Sequence, residues 1–250
     1  MSNFGAIIIG DEILSGKRKD GHFSHTIEIL AKRGLELKWC RIIGDNPALI
    51  SETLRQTYAS GDIVFCFGGI GATPDDHTRQ SAAQAGGVPL ILDQAAVAEI
   101  EAQFGAEAYP RRIQMAELPR GSSIIPNPFN RIPGFTLNHH HFLPGFSQMA
   151  WPMMEWVLDT LYPEIRNRAP ATEEIITVHN AVESLLVDVM NEFVQRYPEV
   201  RFSCLPHIGV DTERRLEFGV RGARPRVTEA MAWLKQKVDE AGFRYSDNSR

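Results

Sequence analysis

Short apolar runs alternate with amphipathic stretches through the first part of the chain. Residues 6–9 and 63–67 are uninterrupted apolar segments, as expected for strands that are buried on both faces of a sheet. Residues 23–31 carry apolar side chains at helical spacing, and residues 35–43 alternate in part like a strand. Asn46 then opens another helix as a capping residue followed by proline. This order predicts an α/β fold with a parallel sheet and right-handed crossovers.

The later elements complete a three-layer αβα domain in which helices cover both faces of a mostly parallel sheet. A helix is predicted over 76–85, and helical stretches continue to Leu118. Residues 135–143 have the pattern of a β-hairpin, and a helix through 149–161 closes the domain. We assign this domain to residues 1–165.

A segment with prolines and little periodicity, residues 162–171, is the predicted linker to a second domain. The pattern of residues 171–250 predicts a small α+β domain with the order β-α-β-β-α. No cluster of catalytic residue types occurs in this region, so we expect it to serve in assembly or in closing the site.

Composition narrows the class of protein. With 43% hydrophobic and 23% charged residues, the chain is typical of a globular domain, and its net charge of −5 lacks the basic footprint of non-specific nucleic-acid binding. The basic run at 17–19 is interpreted as a solvated loop. Three cysteines far apart give neither a disulfide framework nor zinc spacing. Since signal-peptide and membrane-span patterns are also absent, we expect a cytoplasmic protein that binds neither nucleic acid nor membranes.

A glycine-rich loop directly after the apolar strand at 63–67 is the strongest chemical feature of the sequence. Glycines let the backbone turn sharply and bring bare amide groups close to a ligand. Because the next helix is predicted to begin where this loop ends, unpaired amides and the helix dipole favour an anion there. Hydroxyl groups in the loop can donate to phosphate oxygens, although local backbone bonds compete. The predicted phosphate-binding residues of the loop are Gly68, Gly69, Gly71, Thr73 and Thr78.

Acidic residues accompany this loop. Asp75 and Asp76 precede the predicted helix, and Asp11, Glu12 and Asp45 follow the first two strands, which end on one edge of a parallel sheet. Carboxylates repel a phosphate unless a cation lies between them, so the pattern predicts a phosphate-bearing ligand with a divalent metal, and the three strand-end residues are ligand-binding candidates. A plainer interpretation makes the aspartates helix caps and the other carboxylates turn or solvated residues.

Several ordered motifs resemble the molybdopterin-binding (molybdenum-cofactor biosynthesis) domain family, in the version that begins competence/damage-inducible protein A (CinA). The second region is similar to the small second domain of CinA-type proteins. The C-terminal amidohydrolase domain of full-length members has no room in these 250 residues, so a stand-alone form is expected. The matching segments are the loop at 68–78, which reads Gly-Gly-Ile-Gly-x-Thr-x-Asp-Asp-x-Thr, and residues 9–16, 43–46, 127–128, 133–135 and 143–145.

The resemblance implies roles for single residues. Asp76 matches the catalytic aspartate of the family, with Asp75 beside it, and Asp76 and Asp11 are implied to hold the metal. Pro133 and Gly134 match a Pro-Gly-Phe motif and are implied to bind the ligand. Mg²⁺, Mn²⁺ and Co²⁺ are the candidate cations, and molybdopterin is a candidate ligand.

Some positions depart from the family pattern. Ala72 replaces a proline, residues 130–132 replace Gly-Thr-Ala, and residues 143–149 lack a glutamate that borders the ligand region in relatives. These changes leave the substrate and the activity open. Arg131 offers a cation to a phosphate or carboxylate in compensation.

Three consecutive histidines invite a metal interpretation. Alternate residues of a strand face opposite sides, so at most His139 and His141 point together, with His140 opposite. A pair of this kind without a third ligand is a weak metal site.

Three functions agree with these residues. The first is a divalent-metal-dependent pyrophosphatase acting on ADP-ribose or a similar diphosphate, as the resemblance implies, with Asp76 or Asp75 holding the metal or orienting water. The second is a protein that binds a nucleotide or molybdopterin without hydrolysing it. The third is a regulatory oligomer that has kept the fold and lost activity, which the altered segment at 143–149 favours. We expect a small-molecule phosphate ligand and a homo-oligomer.

Overall fold

The structure is a computed structural model that describes residues 3–165, 171–208 and 214–248. The chain divides into two compact units, Met1–Arg168 and Ala169–Arg250. Half of the predicted linker, residues 166–170, lies outside the described residues, so the predicted domain boundaries stay a prediction. Among the described residues, no helix combines the length and the apolar character needed to span a membrane.

The first unit contains eight strands and six α-helices in the order expected for an α/β fold. The strands are β1 (Phe4–Ile9), β2 (Leu37–Ile43), β3 (Ile63–Phe67), β4 (Leu90–Leu92), β5 (Glu117–Pro119), β6 (Ser123–Ile125), β7 (Gly134–Leu137) and β8 (His140–Leu143). The helices are α1 (Asp11–Leu14), α2 (His22–Lys32), α3 (Pro47–Tyr58), α4 (Thr78–Gly86), α5 (Gln94–Phe104) and α6 (Ser147–Leu161), with 3-10 turns at Gly105–Ala108, Arg112–Ala116 and Pro163–Ile165.

The central sheet has six strands in the order β2-β1-β3-β8-β7-β6. β1 pairs in parallel with β2 and β3, and β3 pairs in parallel with β8. β7 pairs antiparallel with β8, and β6 pairs antiparallel with β7. The predicted mostly parallel sheet is confirmed. The four parallel strands therefore end on one edge, where ligands of open α/β sheets bind.

Alternation along the buried strands creates two cores. In β1, Ile7 and Ile9 belong to one apolar cluster, whereas Ala6 and Ile8 belong to the other. Residues of α3, α4 and α5 fill the first cluster, and residues of α2 and α6 fill the second. The sheet thus lies between two helical layers, as the all-apolar strands predict. Helix α6 includes Pro152 in its interior.

The region after α5 differs from its prediction. The expected helical stretch to Leu118 consists instead of two 3-10 turns and the short strand β5, which pairs antiparallel with β4. Gly105 has a positive φ of 54° at the end of α5, and Pro110 lacks the amide that a continuing helix needs. Both residues stop the helix.

The predicted hairpin is β7 and β8, and it corrects the histidine interpretation. Asn138 and His139 form the turn, with φ of 49° and 60°, so His139 is in the turn and shares no strand face with His141. His140 lies beside Tyr58 on one face of the sheet. His141 packs on the opposite face, and both strand histidines are fully buried.

The second unit has one strand more than predicted. Its four-stranded antiparallel sheet has the order β10-β11-β9-β12, and β12 is a short polar edge strand that lacks the apolar alternation by which the others were predicted. Phe193, Phe218 and Leu234 lie in its buried core. The elements are β9 (Thr172–His179), α7 (Glu183–Arg196), β10 (Arg201–Ile208), β11 (Arg214–Gly222), α8 (Arg224–Glu240) and β12 (Tyr245–Asn248).

Candidate functional site

A cavity of about 370 Å³ opens at the carboxyl edge of the central sheet. The ends of β1, β2 and β3, the segments 127–132 and 144–149, and Met115 surround it. This volume lies in the range of small-molecule sites. The predicted residues that line it are Gly68, Gly69, Gly71, Thr73, Asp75, Asp76, Glu12 and Asp45.

The glycine loop bends directly after β3. Gly68 and Gly69 have φ of 103° and 67°, values that side chains rarely tolerate, and a methyl group on Gly68 would overlap the carbonyl oxygen of Ile9. The Thr78 hydroxyl donates to the Gly68 carbonyl at 3.0 Å, and the Thr78 amide donates to the Gly69 carbonyl at 2.9 Å. Thr78 is fully buried and does not line the cavity, so it fastens the loop from behind.

Asp76 closes the loop on itself. The amide and the hydroxyl of Thr73 both donate to Asp76 Oδ2, at 2.9 and 2.5 Å. Helix α4 begins at Thr78, and the cap position is His77, whose side chain makes no capping bond, so the interpretation of the aspartates as helix caps is wrong. Asp75 is exposed, and local hydrogen bonding in this turn lowers the pKa of its carboxyl group.

Arg79 anchors the glycine loop through hydrogen bonds, a role that the sequence analysis did not predict. Its buried guanidinium donates to the carbonyls of Gly71 at 2.7 Å and Glu117 at 3.0 Å. Burial lowers the pKa of Arg79, and the charges of Glu117 and Asp76 oppose that shift. Its spacing in the sequence could have indicated the burial of Arg79, because Ala82 and Ala83 follow it at helical intervals on the buried face of α4.

The ends of β1 and β2 are joined by their acidic residues. The Asp11 amide donates to Asp45 Oδ2 at 2.8 Å, and the Asp45 amide donates to Asp11 Oδ1 at 3.2 Å. Asp11 does not line the cavity, whereas Glu12 and Asp45 do. Burial raises the pKa of Asp45, and the charges of Asp11, Glu12 and Asp75 raise it further although the Asp11 amide opposes the shift. The strand ends thus form a crowded group of carboxylates.

Two other predicted ligand residues lie away from the cavity. Pro133 and Gly134 are buried at the start of β7 and are not among its lining residues. A methyl group on Gly134 would press on the backbone of Phe142, so close strand packing explains that glycine. Arg131 is bound to Glu99, with Nε to Oε2 at 2.8 Å, and also stands outside the cavity, so its predicted role as a phosphate cation is not supported.

Arg18 lines the cavity with its cationic side chain, beside an apolar wall formed by Phe146, Met149 and Met115. Its guanidinium lies 5.6 Å from the centre of the Phe146 ring and 4.0 Å from the Glu12 carboxylate. Phe146 is 53% exposed, and Met149 and Met115 continue the wall. The sequence analysis interpreted residues 17–19 as a solvated loop and did not predict that Arg18 lines the cavity. The sequence pattern does not indicate that α1 directs residues 17–19 toward the ends of the strands.

The residues that the structure describes do not form a metal cage. Asp76 lines the cavity and Asp11 does not, so only one member of the predicted metal-binding pair is a lining residue. Within the described ranges, no group of three or more histidine, cysteine, aspartate or glutamate side chains is arranged to hold a metal ion. Mg²⁺ commonly binds through one or two carboxylates together with substrate phosphates and water, and the lining carboxylates fit that mode.

The fold and the cavity define an α/β protein that presents a glycine loop and carboxylates at the end of a parallel sheet. Residues 5–166 match the family described as a probable molybdopterin binding domain. The chain belongs to this family, and it is similar to CinA-like proteins.

The relatives support this assignment. A CinA-like protein of Syntrophotalea carbinolica is 32% identical over 189 residues, covering 72% of this chain and 46% of that protein. The chain spans about half the length of such CinA-like relatives. A protein of Pyrobaculum calidifontis is 25% identical, with 96% of both chains covered. The solved structure of the protein CinA, of unknown function, from Thermoplasma acidophilum matches with a TM-score of 0.58 and 26% identity, covering 63% of this chain and 98% of that one.

Proposed function

We propose that the cavity binds the phosphate groups of a nucleotide or pterin, and that the protein hydrolyses an ADP-ribose-like diphosphate with the help of a divalent cation. The observation that carries this proposal is the glycine loop facing four carboxylates in one cavity. The loop offers backbone amides to phosphate oxygens, and the carboxylates require a cation beside that phosphate. The cavity-lining carboxylates are Glu12, Asp45, Asp75 and Asp76.

Each part of the cavity has a chemical task in this proposal. A divalent cation, when bound, neutralises phosphate charge and lowers the pKa of a coordinated water. Asp76 accepts both Thr73 bonds on Oδ2, and Oδ1 is the oxygen left for the cation or the water. In hydrolysis the water oxygen bonds to phosphorus while the bridging P–O bond breaks, which yields two phosphate monoesters, and the two protons of the water stay on these products or pass to solvent. Phe146 and Arg18 offer a surface on which a planar base or pterin can stack.

A second candidate function is binding without hydrolysis. Two observations favour it. Among the described residues no three acidic, histidine or cysteine side chains are arranged to hold a metal ion, and Met149 stands at the position where relatives carry the glutamate. In that case the ligand would bind the loop equally well and would leave unchanged, as expected for a nucleotide or molybdopterin carrier.

A ligand panel tests the binding proposal. Thermal unfolding is measured with ADP, ADP-ribose and molybdopterin, each with and without Mg²⁺, Mn²⁺ or Co²⁺. A ligand at 100 times its dissociation constant should stabilise the fold by about 2.7 kcal/mol. Because no group of three or more metal-ligating side chains occurs among the described residues, the cations alone should give little stabilisation and should act through the phosphate ligand. If no member of the panel stabilises the protein, the binding proposal is wrong.

A pair of variants tests the chemistry. Asp76→Asn keeps an oxygen for the Thr73 bonds and removes the charge, so the fold should persist while ADP-ribose turnover falls about a hundredfold or more. Asp93→Asn is the matched control, since Asp93 caps α5 through the Ala96 amide outside the cavity. Turnover that survives Asp76→Asn or excess EDTA contradicts the mechanism. Ligand stabilisation without turnover in the unmutated protein supports the second function.

A further inference from the structure

His22 lies outside the lining of the candidate cavity and contacts two of the segments that form it. It is the first residue of α2, is 6% exposed, and is not among the residues that line the cavity. The Asp20 carboxylate accepts hydrogen bonds from the amides of His22 and Phe23, at 2.9 Å each, and so holds the first turn of α2 in place. The imidazole ring therefore extends from a fixed stretch of backbone.

One contact of His22 reaches the start of the glycine loop. The imidazole ring stacks on the ring of Phe67, with centroids 4.4 Å apart and an angle of 17° between the planes. Phe67 is the last residue of β3, so the stacked pair lies directly before the bend at Gly68. The stack thus helps to fix the point from which the glycine loop departs.

The other contact reaches the segment that carries the apolar wall. Nε2 of His22 lies 3.2 Å from the Gly145 carbonyl oxygen, which can only accept, so Nε2 carries the proton. Phe146 follows directly, and its half-exposed ring is part of the wall. Gly145 also packs closely on the glycine loop, because a methyl group built on it would lie 3.5 Å from Gly68 Cα. His22 therefore joins the glycine loop to the segment that carries the wall.

The second ring nitrogen indicates that histidine is not the best residue for stability at this position. Nδ1 is buried and has no hydrogen-bond partner among the described residues. Burial lowers the pKa of His22, which favours the neutral ring, so Nδ1 is an acceptor without a donor. Such an atom destabilises a fold, whereas phenylalanine would stack on Phe67 without this penalty. The contact that phenylalanine would lack is the hydrogen bond to Gly145, and departures of this kind are typical of functional sites.

We propose that His22 is a positioning residue that sets the distance between the glycine loop and the Phe146 ring, and that this distance makes the cavity specific for phosphates attached to a planar base. The loop holds the phosphate end of such a ligand, so the base stacks well only if the ring stands at a matching distance. A misplacement of about 1 Å can remove much of the benefit of such an arrangement. Inorganic pyrophosphate has no base to stack, so its binding does not depend on this distance. The inference rests on the proposed binding of a phosphate-bearing nucleotide.

Two substitutions separate the two contacts of His22. His22→Phe keeps a ring against Phe67 and removes the donor to Gly145, whereas His22→Gln gives up the stack and keeps an amide N–H near the position of Nε2. His25→Phe is the matched control. His25 also stacks, on Trp151 at 3.8 Å, has a buried nitrogen without a partner in the described chain, and lies outside the cavity lining. Because His22→Phe loses a hydrogen bond and also removes the unsatisfied Nδ1, its thermal unfolding midpoint should stay within about 3 °C of that of the unmutated protein.

Calorimetric titration with ADP and with inorganic pyrophosphate, both in the presence of Mg²⁺, gives the result. A base stacked on an aromatic side chain strengthens binding, so the ratio of the ADP affinity to the pyrophosphate affinity should fall about tenfold in His22→Phe. The pyrophosphate affinity itself should stay nearly the same. His22→Gln should keep most of the ratio, and His25→Phe should keep all of it.

A double-mutant cycle tests whether His22 acts through the Phe146 ring. Phe146→Ala should lower the ratio about as much as His22→Phe does, and the double variant should show no further loss. Additive losses would mean that His22 does not act through Phe146, and they would overturn the inference.

The failures are distinguishable. If both ligands bind but the ratio is unchanged in His22→Phe, or falls equally in His25→Phe, the positioning inference is wrong while the proposed function stands. The same holds if His22→Phe fails to fold, or if His22→Gln loses as much of the ratio as His22→Phe, because the role of His22 would then not be the Gly145 hydrogen bond. If neither ligand binds to the unmutated protein, the proposed nucleotide binding fails, and the inference falls with it.

Discussion

The β7–β8 hairpin and the carboxyl edge of the same sheet differ in how far their polar groups are satisfied. In the hairpin, His140 contacts the Asn138 carbonyl at 2.9 Å and the Thr57 hydroxyl at 2.8 Å, and His141 contacts the hydroxyls of Thr136 and Tyr162 at 2.9 Å each. Every ring nitrogen of these two histidines has a partner. At the edge, carboxylates crowd together and one histidine nitrogen has none within the described chain.

This difference separates structural from ligand-directed polarity. Satisfied buried groups stabilise a single arrangement of the fold. Groups that repel each other or lack a partner destabilise the free protein, and they persist where binding can relieve them. The comparison predicts that changes in the hairpin alter stability, whereas changes at the edge alter binding.

The largest expected effect is acid destabilisation originating in the hairpin. Burial lowers the pKa of His140 to about 4 and that of His141 to about 3, from an ordinary value of 6.5. Between these values the unfolded chain binds more protons than the fold, so stability falls as the pH falls below 6.5. Together the two residues should lower the free energy of unfolding by up to about 2.7 kcal/mol per pH unit near pH 5.

Denaturant unfolding from pH 7 to 4.5 measures this slope. His141→Gln should reduce it by up to about 1.4 kcal/mol per pH unit, since one titrating group is gone. His139→Gln, a substitution in the exposed turn of the same hairpin, is the control variant. An unchanged slope in His141→Gln would place the acid sensitivity elsewhere, for example in His22, whose pKa burial also lowers.

The next effect concerns the backbone of the glycine loop. Gly68→Ala forces a side chain into a left-handed φ and against the Ile9 carbonyl, so it should destabilise the fold by about 3 kcal/mol and abolish ligand binding. Gly121 has a comparable φ of 85° with open space around it, so Gly121→Ala should lose only about 1–2 kcal/mol and bind normally. Equal losses in both variants would show that close packing of the loop is unimportant.

The smallest expected effect is a gain in stability. Asp45→Asn keeps an oxygen for the Asp11 amide and removes the charge of the Asp45 carboxylate. The pKa of that carboxyl group is raised by burial and by neighbouring carboxylates. Because the charged form is disfavoured in the fold, the variant should be more stable by up to about 1 kcal/mol at pH 7, and this gain should vanish in acid. Metal-dependent ligand binding should weaken. A variant that is less stable at pH 7 and binds normally would reverse this assignment.

Much of the fold was predictable because burial on both faces leaves a clear pattern. The apolar runs of β1 and β3 specify their strands without ambiguity, and the capping residue Asn46 fixes the start of α3, where its side chain accepts from Ala48 and Leu49. Two strands that were missed, β5 and β12, are short or polar and depend on pairing with a distant strand. Periodicity within a few residues contains no information on such pairing.

The site was predictable in outline, and its individual contacts were not. Strand polarity sufficed to gather the glycine loop, Glu12 and Asp45 at one edge. Whether a side chain faces the cavity depends on single dihedral angles, which explains why Asp11 turns to the Asp45 amide and Thr78 turns to Gly68. Arg18 belongs to a loop whose path is set by tertiary contacts, so its presence in the lining required the structure.

Pro152 has a consequence for how the cavity wall moves. Proline has no amide hydrogen, so the carbonyl of Gln148 lacks its usual donor one turn later in α6. The first turn of α6, which carries Met149, is therefore less firmly coupled to the rest of the helix than an unbroken hydrogen-bond ladder would make it. We expect Met149 to move with this first turn while Met153 and Val157 keep their buried places. Hydrogen exchange should accordingly be faster before the proline than after it, and the cavity can adapt its width to ligands of different thickness without loosening the core.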